Sequence, residues 1–201
     1  MKKLLFLLIL FLGGIINAQL NEVKQLKLLE KKYDSILISY QKKAKDSLSH
    51  MTKKERNEIM AREEAKIIER RKIEEYAQLE KIKGEELGSD IFKLPRKYLK
   101  CEMEGNFKMP DLLVKTKYKP TVSKVSDENL EGGGGSLESV ATFYTTADGY
   151  IRNVNTTGEN NDFNKQIELT LYRIEKILPR CINGFSKLDK YSMPVKMNFK
   201  N

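Results

Sequence analysis

The residues of this sequence that could carry chemistry are few and far apart. The 201-residue chain contains one histidine, two cysteines and no tryptophan. His50 has neither a cysteine nor a second histidine near it in sequence, so it offers no metal site and no base for a nucleophile. Cys101 and Cys181 also have no histidine nearby, which favours a bridge or a buried thiol over a nucleophile. We therefore predict that the protein is not an enzyme and has no catalytic, cofactor-binding or metal-binding residues.

Residues 1–18 have the pattern of a secretory signal peptide. Two lysines near the start precede an unbroken apolar run at 4–12, and the small residue Ala18 suits cleavage. The apolar stretch 4–16 is shorter than the roughly 20 residues that cross a bilayer, so an uncleaved anchor is disfavoured. Gln19 stands where a lipoprotein would carry cysteine. We expect a chain without a lipid anchor there, in a bacterial periplasm or secreted.

Export changes how the charge and the cysteines are interpreted. The chain has 37 Lys and Arg residues against 28 Asp and Glu residues, a formal net charge of +9. A basic balance inside a cell suggests phosphate partners, whereas outside the cytosol it indicates an acidic envelope surface, so we expect no nucleic-acid partner. Disulfides persist in exported proteins. A bridge between Cys101 and Cys181 is predicted on that ground, although sequence does not show that the two sulfurs meet.

Residues 19–88 contain no cysteine and a single histidine, and they form a charged region that predicts long helices. Proline is absent, strong helix formers dominate, and apolar residues recur every three or four positions. Thr52 and Glu55 have the spacing of a capping box, so we predict two helices rather than one rod. The helices would form an antiparallel hairpin, or a coiled coil that makes a homo-oligomer. The predicted apolar stripes are Leu26, Leu29, Tyr33, Ile36, Tyr40, Ala44, Leu48 and Met51, followed by Ile59, Met60, Ile67, Ile68, Ile73, Tyr76, Leu79 and Ile82.

Residues 89–136 are predicted to be an irregular linker that leads into a C-terminal domain. Three prolines interrupt any periodic pattern, and four consecutive glycines occupy 132–135. Such a glycine run has no side chains to pack and must bend or flex. We therefore expect the helices and the C-terminal domain to be independently stable units.

Residues 137–201 carry the pattern of a small ββαβ domain. Two runs of β-type residues flank a turn at Asp148-Gly149, which predicts a hairpin. A helix follows and is predicted to end at Pro179, and 187–199 forms a last strand. The fold class is thus α+β, with a three-stranded antiparallel sheet and one packed helix. The predicted helix stripe is Phe163, Ile167, Leu171, Ile174 and Leu178, after a cap among Asn160, Asn161 and Asp162.

Several short motifs in this domain occur in an order that resembles the TonB C-terminal domain family. They are the Phe143–Val154 hairpin with its Asp-Gly turn, Phe163-Asn164-Lys165, Leu178-Pro179, Ile182-Asn183-Gly184 and Met193–Phe199, with Tyr118 and Pro120 upstream. The resemblance covers roughly residues 112–201. This chain lacks the tryptophan that the family commonly has before the helix-ending proline, and charged helices stand where the family has a membrane anchor and a proline-rich spacer.

The resemblance implies a function in protein binding during transmembrane transport. In that family the domain adds an extended segment of an outer-membrane transporter to its sheet, and main-chain hydrogen bonds then supply the affinity. It implies that the last strand is the binding edge and that Tyr191, Met193, Val195 and Met197 are its partner-binding residues. A strand methionine that faces a helix is more often part of the core. The expected partners are envelope proteins, including TonB-dependent transporters.

A different function is also compatible with the long basic helices. The protein would then be a periplasmic chaperone-like or structural scaffold protein, in which the helices hold unfolded envelope proteins and the small β unit only packs or oligomerises. Mixing the protein with an unfolded outer-membrane protein would separate the two hypotheses.

Overall fold

The computed structural model describes residues 20–88, 99–101, 136–174 and 176–198. The predicted signal peptide, most of the predicted linker with its glycine run, and Phe199 lie outside the described residues. The protein is α+β, as predicted. Its elements in chain order are α1 (Asn21–Ser47), α2 (Lys53–Gly88), β1 (Leu99–Lys100), β2 (Ser136–Thr145), β3 (Ile151–Gly158), α3 (Asn161–Arg173), β4 (Cys181–Ile182), β5 (Phe185–Ser186) and β6 (Asp189–Asn198).

The helices α1 and α2 pair as an antiparallel hairpin. The predicted capping box opens α2, because the Glu55 carboxylate accepts from the Thr52 backbone N–H at 3.1 Å and from its hydroxyl at 2.7 Å. At the other end of the hairpin, the Glu85 carboxylate accepts from the Asn21 and Glu22 N–H groups, both at 2.9 Å. These are the donors that a helix start leaves unpaired. Each helix of the hairpin thus begins at an acidic acceptor, which is local for α2 and comes from the other helix for α1.

The C-terminal domain contains a three-stranded antiparallel sheet in the order β3-β2-β6. The strand β6 pairs with β2 along its whole length, from Asp189 opposite Thr145 to Asn198 opposite Ser136. A second small sheet, in the order β1-β5-β4, lies beside it. A disulfide joins Cys101, just after β1, to Cys181 in β4, with the two Cα atoms 6.1 Å apart. The predicted bridge is therefore present in the structure.

The hairpin and the sheet share a single hydrophobic core, a contact that the expectation of two independently stable units did not include. Leu26, Leu79 and Ile82 of the hairpin are fully buried in the same cluster as Phe143 of β2 and Leu171 of α3. The predicted stripe of α2 is wrong in part, because Ile68 and Ile73 are 53% and 62% exposed. Leu79 and Ile82 of the predicted stripe are buried, and the other buried residues of α2 are the polar Glu75, Gln78 and Glu86.

The helix α3 ends at Arg173, six residues earlier than the predicted end at Pro179. Asn160 caps its start as expected, since its side chain accepts from the Phe163 N–H at 2.9 Å. After the helix the chain turns back to the β2–β3 turn, where the Ile177 N–H donates to the Gly149 carbonyl at 3.0 Å. A Cβ at Gly149 would lie 2.2 Å from the Ile177 carbonyl oxygen, so only glycine allows this approach. This hydrogen bond to the turn holds the residues after Arg173 in a path that a continued helix would not follow.

The early end of α3 removes Leu178 from the core. Its side chain is 61% exposed, whereas Ile177 beside it is buried. In place of Leu178 the helix buries Leu169 and Tyr172, which lie off the predicted stripe. Within the described parts of the chain, no helix combines the length and the apolar character needed to cross a membrane.

Candidate partner-binding edge

The strand β6 forms one end of the main sheet among the described residues. Its neighbour on one side is β2, and the sheet order places no described strand on the other side. End strands present backbone N–H and C=O groups that can pair with another chain. The strand is ten residues long, which is enough for an added strand of ordinary length. This outer side of β6 is called the β6 edge below.

The four predicted partner-binding residues lie together on the core side of β6. Val195 is buried, and Tyr191, Met193 and Met197 are half-buried against the core cluster. The Tyr191 ring stacks on Phe143 of β2, with centroids 5.5 Å apart. Most of their surface therefore contacts the protein's own core, and the backbone of β6 is the better candidate for binding.

Two features indicate which residues of β6 direct their backbone groups outward. Pro194 has no N–H, and proline within a sheet occurs where that group would point away from the neighbouring strand. The Lys190 N–H donates to the Asp189 carboxylate at 3.0 Å rather than to β2. Backbone direction alternates along an antiparallel strand. Residues 190, 192, 194, 196 and 198 therefore form the outward row, with a missing donor at Pro194.

The opposite edge of the sheet, formed by β3, is closed by side chains from α2 and α3. The Glu86 carboxylate accepts from the Asn153 N–H. The Tyr172 hydroxyl accepts from the Val154 N–H at 3.1 Å, and the Glu168 carboxylate accepts from the Thr156 N–H at 3.0 Å. These three backbone donors cannot pair with an added strand while the side chains remain in place. This side of β3 is called the β3 edge below.

A bulge in β3 turns two of these donors toward the helices. The register with β2 shifts between Thr142 and Tyr144, and Asn153 adopts a positive φ of 49°. Asparagine tolerates this left-handed region better than most residues. An extra residue at a bulge loses its ladder partner, so the N–H groups here need acceptors from elsewhere. Glu86 and Tyr172 supply them.

The acceptors at the β3 edge are themselves buried and linked. Tyr172 donates its hydroxyl proton to Glu86 at 2.6 Å, and the Glu86 carboxylate also lies 3.9 Å from Arg152 Nε. Burial raises the pKa of Glu86, and the hydrogen bonds from Tyr172 and Asn153 oppose that rise. Burial lowers the pKa of the Arg152 guanidinium, and the Glu86 charge opposes that shift.

The second acceptor, Glu168, is linked to the hairpin in the same way. Its side chain is 3% exposed, and Lys83 of α2 lies 2.7 Å from its carboxylate. The Thr156 hydroxyl donates to the same carboxylate at 2.9 Å. Further along the hairpin, Arg173 of α3 contacts the buried Glu75 at 2.6 Å. Charged groups therefore join α2 to α3 and β3 inside the core, where they stay paired.

The residues that close the β3 edge were not predicted from the sequence. Glu86 lies in the charged region 19–88, where no acidic residue was predicted to be buried. Tyr172 and Glu168 lie off the predicted stripe of α3. A usable signal was present in the off-stripe Leu169 and Tyr172, since apolar residues on more than one side of a helix indicate burial on more than one side.

The part of the hairpin farther from the sheet, residues 35–70, is called the arm below. A groove of about 270 Å³ lies where the arm begins, between α1 and α2. Its lining includes Tyr33, Ile36, Tyr40 and Ile67, together with charged side chains. The Tyr33 hydroxyl donates to Glu74 at 2.6 Å, and burial and this carboxylate raise the pKa of Tyr33 to about 12.

The residues with catalytic potential are placed apart. His50 lies in the turn at the tip of the arm, exposed to solvent. The two cysteines are bonded to each other. Within the described residues no group of three or more histidine, cysteine or acidic side chains could hold a metal ion.

Comparison of the chain with protein-family models, with curated proteins and with solved structures found no match. The resemblance to the TonB C-terminal domain family thus stays a prediction from sequence motifs.

Proposed function

We propose that this protein is a non-enzymatic binding protein of the bacterial cell envelope. It is exported through its leader and binds an extended segment of a partner protein by adding that segment to β6. The partners are envelope proteins, and TonB-dependent outer-membrane transporters are the first candidates, because residues 112–201 resemble a family that binds them.

The observation that supports strand addition is the unequal treatment of the two sheet edges. The β3 edge gives its donors to Glu86, Tyr172 and Glu168. The sheet order leaves β6 with a described neighbour on one side only. A protein that needed no partner would gain from closing both edges, since open edges invite aggregation. The open edge is therefore the better candidate for function.

A backbone substitution at the β6 edge tests this proposal. Ser192→Pro removes an outward N–H and leaves the ladder with β2 intact, because residue 192 belongs to the outward row. Ser192→Thr keeps the N–H and is the matched control. We expect the mature chain to bind synthetic peptides copied from periplasmic segments of such transporters. The proline variant should bind them at least about tenfold more weakly, and the threonine variant should bind them normally.

Circular dichroism and thermal melting must first show that both variants fold like the natural chain. Equal binding by the proline and threonine variants would contradict strand addition at β6. Failure of every such peptide to bind the natural chain would remove the transporters as partners.

Export is tested separately from binding. We expect mass spectrometry of the protein from an exporting bacterial host to find Gln19 as the first residue. Protein that keeps Met1 and stays in the inner-membrane fraction would contradict the export proposal, while the peptide result above would still stand.

A second candidate function is the binding of unfolded proteins by the arm. The arm exposes Ile38 and Ile68, and its groove is lined by aromatic and aliphatic side chains. Such surfaces suit weak binding of apolar segments. The protein would then slow the aggregation of an unfolded outer-membrane protein, and Ile38→Lys with Ile68→Lys would abolish this effect. If Ser192→Pro abolished it instead, the arm would not be the site.

A further inference from the structure

The solvent-facing side of β6 carries two lysines. Lys190 and Lys196 are both exposed and lie six residues apart on the same face of the strand. At about 3.3 Å per residue their Cα atoms are roughly 20 Å apart. Lys190 lies over the Tyr144 ring, with its Nζ 5.9 Å from the ring centroid. Lys196 pairs with Glu138 in a contact where both side chains are more than half exposed.

A strand added to β6 would place its own side chains directly beside these lysines. In an antiparallel pair, residues opposite each other point to the same face, and their Cβ atoms lie about 5 Å apart. Opposite charges at such positions are stabilising and like charges are destabilising. On the other face, the half-buried Tyr191, Met193 and Met197 offer apolar surface to the added strand.

Because of Pro194, side-chain contacts should contribute more to partner binding at this edge than at an edge strand without proline. Pro194 lies between the two lysines in the outward row, four residues after Lys190 and two before Lys196, and supplies no N–H. A partner carbonyl opposite it finds no donor, so backbone pairing is interrupted near the centre of the strand. The two charged contacts then lie on either side of this gap and can fix the register.

We propose that the β6 edge selects an extended segment that carries two carboxylate side chains six residues apart, with apolar side chains alternating on the other face. This inference rests on strand addition as the proposed function and names the chemistry of its partner. A second copy of this chain fits poorly as the occupant. The strand β6 has one carboxylate, Asp189, which already accepts from the Lys190 N–H.

Two peptides of equal composition test the selection. The first is acetyl-Glu-Ile-Thr-Val-Thr-Ile-Glu-amide, whose carboxylates are six residues apart and share one face of a strand. The second is acetyl-Glu-Ile-Thr-Val-Thr-Glu-Ile-amide, whose carboxylates are five residues apart and fall on opposite faces. We expect the first to bind the mature chain about fivefold to tenfold more tightly at low ionic strength, as two cross-strand ion pairs allow. The difference should shrink at high salt.

A charge exchange provides the matched protein control. Lys190→Glu combined with Lys196→Glu should bind the first peptide poorly and should prefer the peptide in which both Glu residues are replaced by Lys. Both lysines are exposed, but Lys196→Glu also places a second carboxylate opposite Glu138 in β2. Thermal melting measures this modest cross-strand cost before binding is compared. Recovery of binding by exchange of both partners would support direct contact, because a fold defect would not be rescued.

The outcomes separate this inference from the proposed function. If the natural chain binds both acidic peptides equally, and Ser192→Pro weakens both, strand addition stands and charge selection is wrong. If the double lysine variant binds the first peptide as well as the natural chain does, charge selection is also wrong. If neither acidic peptide binds the natural chain, this inference is overturned, and the proposed function is then judged by the transporter peptides alone.

Discussion

The two edges of the main sheet show opposite solutions to the same physical problem. At the β3 edge, a bulge and three side chains from the helices occupy the backbone donors of Asn153, Val154 and Thr156. At the β6 edge, the described residues offer only Pro194 and exposed lysines as protection. Both devices discourage unselective pairing, but only the second leaves backbone groups accessible. The hairpin thus closes one edge, and the other edge is the one we propose for binding.

The closed edge depends on the packing of the hairpin against the sheet. Glu86 and Lys83 can act at β3 only because Leu79 and Ile82 hold α2 in the shared core. Buried polar groups such as Glu86 and Glu168 are tolerated because each has hydrogen-bond or ionic partners. We therefore expect effects that decrease from loss of the disulfide, through truncation in the core and removal of the Glu86 side chain, to a change in the charge of Glu86.

The largest effect is expected from loss of the disulfide. Replacing Cys101 and Cys181 by serine opens a loop closed by residues 80 apart in sequence. The chain-entropy model gives a loss of about 4 kcal/mol in the free energy of unfolding. Denaturant unfolding of the double variant measures it. Free-thiol titration of the denatured, unreduced natural protein should find no thiols, and two free thiols would contradict the bridge.

Truncation in the shared core should have the next largest effect. Leu79→Ala removes a fully buried side chain that joins the hairpin to the sheet domain. We expect it to lower the free energy of unfolding by roughly 3 kcal/mol, within the usual range for such truncations. Helical and sheet signals should melt together. Melting of the C-terminal domain at its original temperature would show that the two parts are independent after all.

Removal of one closing side chain should destabilise the β3 edge. Glu86→Ala leaves the Asn153 N–H and the Tyr172 hydroxyl without their carboxylate, which should cost about 2 kcal/mol. Glu63→Ala is the matched control, because the pair of Glu63 with Lys66 lies on the exposed arm, where solvent screens it and its loss should change the free energy of unfolding little. Equal losses in the two variants, measured by denaturant unfolding, would remove the distinction between closed edge and arm.

The smallest effect concerns the charge of Glu86. Burial raises its pKa in the folded chain above the ordinary value of 4.5. The folded state therefore holds this proton more tightly, so the related stabilisation is complete below about pH 4.5 and is lost as the pH rises through the raised pKa. The melting temperature of the natural chain, relative to Glu86→Gln, should fall over that interval. A difference that is constant with pH would show that Glu86 titrates normally.

Local sequence signals predicted local structure well. The capping box at Thr52 and Glu55, the cap at Asn160 and the turn at Gly149 depend on residues within a few positions of one another. The α+β class followed from the same signals. Met193, Val195 and Met197 share one face of β6 as predicted, and together with Tyr191 they contact the core; their role in partner binding stays a prediction.

Features that depend on distant residues were not predictable in this way. The helix α3 ends early because its continuation meets the β2–β3 turn. Glu86 is buried because Tyr172 and Asn153, both far away in sequence, provide its partners. A periodicity that counts glutamate as solvated cannot identify a buried acceptor. The unequal edges of the sheet, and with them the candidate site, emerged only from the fold.

Amide hydrogen exchange, followed residue by residue by NMR, tests the central claim most directly. In the free protein we expect the outward N–H groups of Ser192 and Lys196 to exchange quickly. Those of Asn153, Val154 and Thr156 should be strongly protected. Binding of an extended acidic peptide should protect Ser192 and Lys196 and leave the β3 edge unchanged. Slow exchange at Ser192 and Lys196 in the free protein, or exchange at Asn153, Val154 and Thr156 as fast as theirs, would contradict the account.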